Sequence, residues 1–276
     1  MTTSSTSIPR RARRTRPWLA LALALVASGC AATVARLGMS SSPSARYRVE
    51  DLSLVRFLSE KPGLVSRAGE GYVLHYWDGM PPEEVFQVAA RVERARAHVE
   101  RALERPFPRP VSIYLPRPGS VSDSTMPIRR TNGFSATFGD EIFTLVRAPY
   151  PESTIRHELV HCLFNGLGRR SSWIEEGLAE LISAPDGARP GLLEILLDFE
   201  PVGWRQLAEF DEGRDPSLRK RATAWMLVLV LRERHGLSAS AIADADSLED
   251  VTSPEEAWTW LRQQLGASYQ GLSEQR

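Results

Sequence analysis

PESTIRHELVHCLFN, residues 151–165, is the stretch on which the reading of this chain turns. A proline and an acid at its start, followed by helix-compatible residues, mark an α-helix that Gly166 and Gly168 bring to an end. His157 and His161 are four residues apart, so they lie one turn from each other on one face, where their ring nitrogens can converge on a single ion. Glu158 points about 100° round the helix, within reach of a water on that ion without binding it. Two neutral imidazoles holding Zn²⁺ while a carboxylate takes a proton from the bound water use residues in this arrangement. The pentapeptide HELVH also arises by chance in helices, so alone it leaves two readings open: a metal clamp, or two histidines on a core helix.

The next segment, SSWIEEGLAE (171–180), supplies candidates for what the clamp lacks. A structural zinc site takes four protein ligands, whereas a hydrolytic one takes three and keeps a position open for water. Ser172 and Glu175 have the spacing of a capping box, which would engage Glu175 at the helix start. Glu176 is then expected to turn inward as the third metal ligand. Glu180, four residues on, shares its face and is expected to hydrogen-bond the outer nitrogen of a metal-bound histidine; an exposed helix carboxylate is the alternative. Cys162 adjoins His161, but with Leu163 and Phe164 beside it, it reads as a small buried hydrophobe.

Working outward, GYVLHYW (71–77) alternates and is rich in β-formers, VSIYL (111–115) is a short buried-type strand, and EIFTLV (141–146) is another strand. Between the first two, a stretch opening on Pro81 and Pro82 carries Val85, Val88, Ala89, Val92, Ala95 and Val99 at helical spacing, an amphipathic helix ending before Pro106. His98 falls on its polar side and reads as solvated; His75 is given no role. Helices are expected at 152–165, 173–183, 190–198, 217–235 and 254–265. The fold class is therefore α+β: a small mixed sheet, then a helical C-terminal half.

The chain has 276 residues, of which 42% are apolar, enough for one sizeable core. A single domain over 46–276 is expected. Residues 1–29 hold Arg10, Arg11, Arg13, Arg14 and Arg16, no acid, and the apolar run Trp18–Ser28, the pattern of a signal peptide. The run is short for a membrane span. Its end, Ala27-Ser28-Gly29-Cys30, resembles the lipobox of bacterial lipoproteins, which implies that Cys30 becomes a lipidated first residue. An uncleaved anchor or an ordinary secretion signal are the other readings, and both place the body outside the cytoplasm. Small, polar residues over 30–45 read as a tether. Without 1–29 the body carries an excess of five acids and no basic stripe, which argues against a nucleic-acid partner. With Cys30 committed to lipid, Cys162 is left without a disulfide partner.

HELVH followed in the next helix by WIEEGLAE resembles the gluzincin metallopeptidases, and the short gap is similar to the compact peptidase MA-like domains of bacterial envelope proteins. The resemblance extends over about 71–236, though only the two zinc motifs are specific. It implies that His157, His161 and Glu176 bind zinc, that Glu158 is the general base, and that an edge strand before the zinc helix, here Ile142–Val146, receives an extended peptide with Phe143 or Leu145 shaping its subsites. An ordinary sheet edge is the other reading of that strand. Relatives commonly carry a tyrosine one turn before an Ala-Trp pair in the late helix, and this chain has Arg221 there. A guanidinium can stabilise an oxyanion, which makes Arg221 a candidate catalytic residue; the run Arg219-Lys220-Arg221 can equally be a solvated helix start.

Two functions follow as expectations: a lipid-anchored zinc peptidase acting on peptide or protein substrates at the cell envelope, with the outer membrane slightly preferred, or a zinc-bearing lipoprotein of weak or no activity that binds peptides or a partner. A zinc amidase or deformylase acting on another amide is a remoter third. Oligomeric state is not legible.

Overall fold

The structure is a computed structural model that describes residues 60–61, 63–119, 133–138, 140–167, 172–184, 187–208, 218–245, 248 and 250–273. The signal segment 1–29, Cys30 and the tether 30–45 lie outside the described residues.

Five strands and eight helices are described: β1 (Leu64–Gly69), β2 (Tyr72–Trp77), α1 (Pro82–Leu103), β3 (Val111–Leu115), β4 (Gly133–Phe138), β5 (Glu141–Val146), α2 (Glu152–Gly166), α3 (Ser172–Ser183), α4 (Pro190–Phe199), α5 (Trp204–Ala208), α6 (Leu218–Glu233), α7 (Ala239–Asp244) and α8 (Pro254–Ser273). The strands form one mixed sheet in the order β1-β2-β3-β5-β4. The inner pairs β2–β3 and β3–β5 are parallel, and the outer pairs β1–β2 and β4–β5 antiparallel. The expected α+β class with a helical C-terminal half is what the chain adopts.

Helix α1 is the crossover that makes β2 and β3 parallel. Pro82 occupies its first turn with Glu83 and Glu84, and Val85, Val88, Ala89, Val92, Ala95, Val99 and Leu103 are buried. It stops at Glu104, whose φ of 53° is left-handed. The buried stripe meets Leu74, Val111, Ile113 and Ile142 on one face of the sheet. His98 is half-buried rather than solvated, because its Nε2 lies 3.2 Å from the Ile182 carbonyl and ties α1 to the end of α3.

Strand β5 is interior, contrary to the expectation that Ile142–Val146 forms the sheet edge. It pairs with β3 on one side and β4 on the other, and Ile142 to Val146 are all buried. Phe143 therefore packs edge-on against Tyr114 and Phe134 and shapes no subsite, and Leu145 is equally sealed. The edge beside α2 is β4. On the other side of α2, α3 lies against α6, whose residues Arg221 to Leu231 are buried all round. The close packing is set at Gly177, where a Cβ would fall 2.5 Å from the Ala224 carbonyl oxygen.

Candidate metal centre

Helix α2 buries His157, Glu158 and His161 completely. The helical repeat brings the two histidine Nε2 atoms to 3.2 Å. Glu176 comes in from α3, with Oε1 3.7 Å from His157 Nε2 and Oε2 3.5 Å from His161 Nε2. The three residues form a buried group able to hold a metal ion. The fit is dimensional as well as chemical. Ligands about 2.0–2.1 Å from a tetrahedral ion stand roughly 3.3–3.4 Å from each other, close to these separations. Oε1 of Glu176 meets the Arg221 guanidinium, whereas Oε2, sealed from water, receives no aligned hydrogen bond among the described residues, a costly arrangement that a cation relieves.

Titration of these groups follows from their burial. Burial holds His157 well below the usual histidine range, and the positive charges of His161, Arg221 and Arg189 push the same way. Burial also opposes charge on His161, but the hydrogen bond and charge of Glu175, with Glu176 and Glu158, lift it to about 10. Glu176 is raised to about 7 by burial, against the pull of Arg221 and His161. A metal must displace the proton on His161, so ion binding is coupled to proton release.

Glu175 corrects the sequence reading. Its Oε1 lies 2.7 Å from His161 Nδ1, the ring nitrogen opposite the one that faces His157 and Glu176, a contact across helices that the capping spacing did not suggest. This is the orienting contact expected of Glu180. Glu180 Oε1 stands 3.8 Å from His157 Nδ1, beyond hydrogen-bond range. Glu180 is engaged instead by Arg221 Nη2 and by Arg189 Nε, 2.8 Å from its Oε2. Arg221 is buried, with Nε 2.6 Å from Glu176 Oε1, so it is no solvated helix start. Arg219 turns instead to the end of α4, its Nε 2.7 Å from the Glu200 carbonyl.

Glu158 is set by the edge strand. Ser135 Oγ lies 2.7 Å from Glu158 Oε2 and 3.0 Å from its carbonyl oxygen. Gly133 passes so close that a Cβ there would fall 2.6 Å from Glu158 Oε1. Sequence reasoning missed Gly133 and Ser135 as contributors, and the small residues in GFSATF before β5 were the available signal. Cys162 is buried beside Ser135 and Phe143, and burial drives its thiol far above the usual range, as befits a packing residue.

His157, His161, Glu176 and Glu158 are thus brought together as the sequence reading requires, Glu180 and Arg221 join them through a different set of contacts, and Cys30 lies outside the described residues. No protein-family model matches the chain, and a search of curated proteins finds no match.

Proposed function

We propose that this chain is a zinc-dependent peptidase that His157, His161 and Glu176 equip with its metal and Glu158 with its general base. The observation that carries the reading is the combination of a three-residue, two-imidazole and one-carboxylate donor set with a buried carboxylate on the adjacent helical position. Three protein donors leave a coordination position for water, which a structural four-ligand site does not. Bound zinc supplies Lewis acidity that lowers the pKa of that water and polarises a carbonyl. Glu158, oriented by Ser135, accepts the proton of the attacking water and returns it to the departing amine. Glu175 holds the His161 ring so that Nε2 faces the ion. Edge strand β4 passes beside Glu158 through Gly133, so an extended peptide added to that edge by main-chain hydrogen bonds would run past the base. The lipobox-like residues ending at Cys30 support an envelope location with a lipid tether; no described helix is long and apolar enough to cross a membrane.

One observation favours the second reading, a zinc lipoprotein that binds without cleaving. The Arg221 guanidinium is engaged by Glu176 and Glu180 through Nε and Nη2, which draws those donors away from an oxyanion. Glu158 at the site argues for hydrolysis, since a binding site has no use for a base there.

Metal analysis of the full chain together with turnover of a quenched peptide library separates the two. One zinc per chain with chelator-sensitive cleavage is expected, with Glu158→Gln keeping the metal and losing turnover. Cleavage that survives Glu158→Gln refutes the mechanism, and zinc without cleavage transfers the conclusion to the binding reading.

A further inference from the structure

We infer that Arg221 is a positioning residue that clamps the Glu176 carboxylate, so that one oxygen is taken up by the guanidinium and the other is left for the metal. The inference rests on the metal reading above and adds to it what fixes the third ligand.

Glu176 and Glu180 lie one turn apart on the same face of α3, and the close approach of α6 at Gly177 places Arg221 against that face. Its Nε is 2.6 Å from Glu176 Oε1, and its Nη2 bonds Glu180 Oε1. Glu180 is itself fixed, for Arg189 Nε lies 2.8 Å from its Oε2 and 3.0 Å from its main-chain oxygen. A chain of alternating charge thus runs from Arg189 through Glu180 and Arg221 and ends on the candidate ligand. Arg221 and Glu176 are both buried. In such a place a carboxylate without a fixed cation turns or protonates.

The planar fork of arginine explains the residue type. It reaches two carboxylates at once, whereas a lysine ammonium is a point charge on a flexible stem. With Oε1 on the guanidinium, Glu176 binds through Oε2 alone, which keeps coordination low and a position open for water.

The test measures Zn²⁺ affinity of the full chain by competition with a chromophoric chelator, and the visible absorption of the Co²⁺-loaded protein, whose bands weaken when coordination rises from four to five. Arg221→Met is expected to bind Zn²⁺ about 10–100-fold more weakly and to show weakened Co²⁺ bands as Glu176 turns both oxygens to the ion. Arg221→Lys, which keeps the charge and loses the fork, recovers part of the affinity. Wild-type affinity and an unchanged Co²⁺ spectrum in Arg221→Met overturn the inference. If circular dichroism shows that Arg221→Met does not fold, the isosteric Glu180→Gln takes its place under the same criteria: weaker Zn²⁺ binding supports the clamp and wild-type values overturn it. A wild-type chain that binds no Zn²⁺ is a distinct result, refuting the metal reading itself.

Discussion

Gly177→Ala tests the helix contact from which the site is built. The added methyl carbon would sit 2.5 Å from the Ala224 carbonyl oxygen and 2.6 Å from Val228 Cγ2. A carbon–oxygen contact settles at about 3.3–3.6 Å, so α3 has to recede from α6 by roughly 0.8–1.1 Å. The Val228 side chain can rotate away, but the carbonyl belongs to the α6 backbone and cannot. Two effects oppose each other. Alanine in place of glycine inside a helix stabilises by about 1 kcal/mol. Overpacking costs about 1–3 kcal/mol, and a backbone obstacle puts the cost at the upper end. The net is a loss of about 2 kcal/mol, which at about 2–4 °C per kcal/mol lowers the melting temperature by about 4–8 °C. Thermal unfolding of the full chain in chelator, which removes any contribution from bound metal, reads this loss directly. Because Glu176 rides on α3 while both histidines ride on α2, the same displacement is expected to weaken Zn²⁺ binding at least about 10-fold. A melting temperature equal to the wild type or above it would refute the close approach of α3 to α6, since propensity alone would then have won.

Further outcomes follow from single contacts. Glu175→Gln removes the carboxylate from His161 Nδ1 and is expected to weaken Zn²⁺ binding about 10–100-fold, measured by chelator competition, whereas a capping role would lower only the melting temperature. His75 stacks on Tyr114, lies 2.7 Å from Ser66 Oγ, and is lowered to about 4 by burial and the charge of Lys61, with Glu141 opposing. Between its unfolded value, about 6.5, and 4 the unfolded chain binds the extra proton, so this histidine contributes stability above that window and loses it as pH falls. Denaturant unfolding should therefore show the gap between wild type and His75→Gln narrowing from pH 7 to pH 4, and a constant gap refutes the assignment. Cys162 should resist iodoacetamide in the folded chain and react in denaturant, as mass spectrometry would show; labelling of the native protein contradicts its burial.

What could be read from the sequence was what the chain encodes within one element. The α1 stripe, β3 and β5 are legible because period and composition act locally, and so is the convergence of His157 and His161, which the helix repeat alone dictates. Strands β1 and β4 escape because one is largely exposed and the other, GFSATF, is glycine-led and rich in small residues. Helices α5 and α7, of five and six residues, are too short to show a period. Strand order is a long-range property, yet it left a trace: EIFTLV is apolar over most of its length, as befits a strand covered on both faces and both edges, and that run argues against an edge.

The errors inside the site share one cause. Ser172–Glu175 spacing and a run of three basic residues are local patterns with local explanations, a cap and a solvated helix start, and both gave way to contacts across helices. Burial changes the weighing: an arginine or a glutamate is almost never fully buried unless paired. Once Gly177 lets α3 and α6 meet, Glu176, Glu180 and Arg221 are withdrawn from water together, and each can remain charged only by answering the others. Glu175, turned toward α2, answers His161 in the same way. The glycine after Glu176 is thus as much a part of the site as the carboxylate before it, because it sets the distance at which these charges have to be shared.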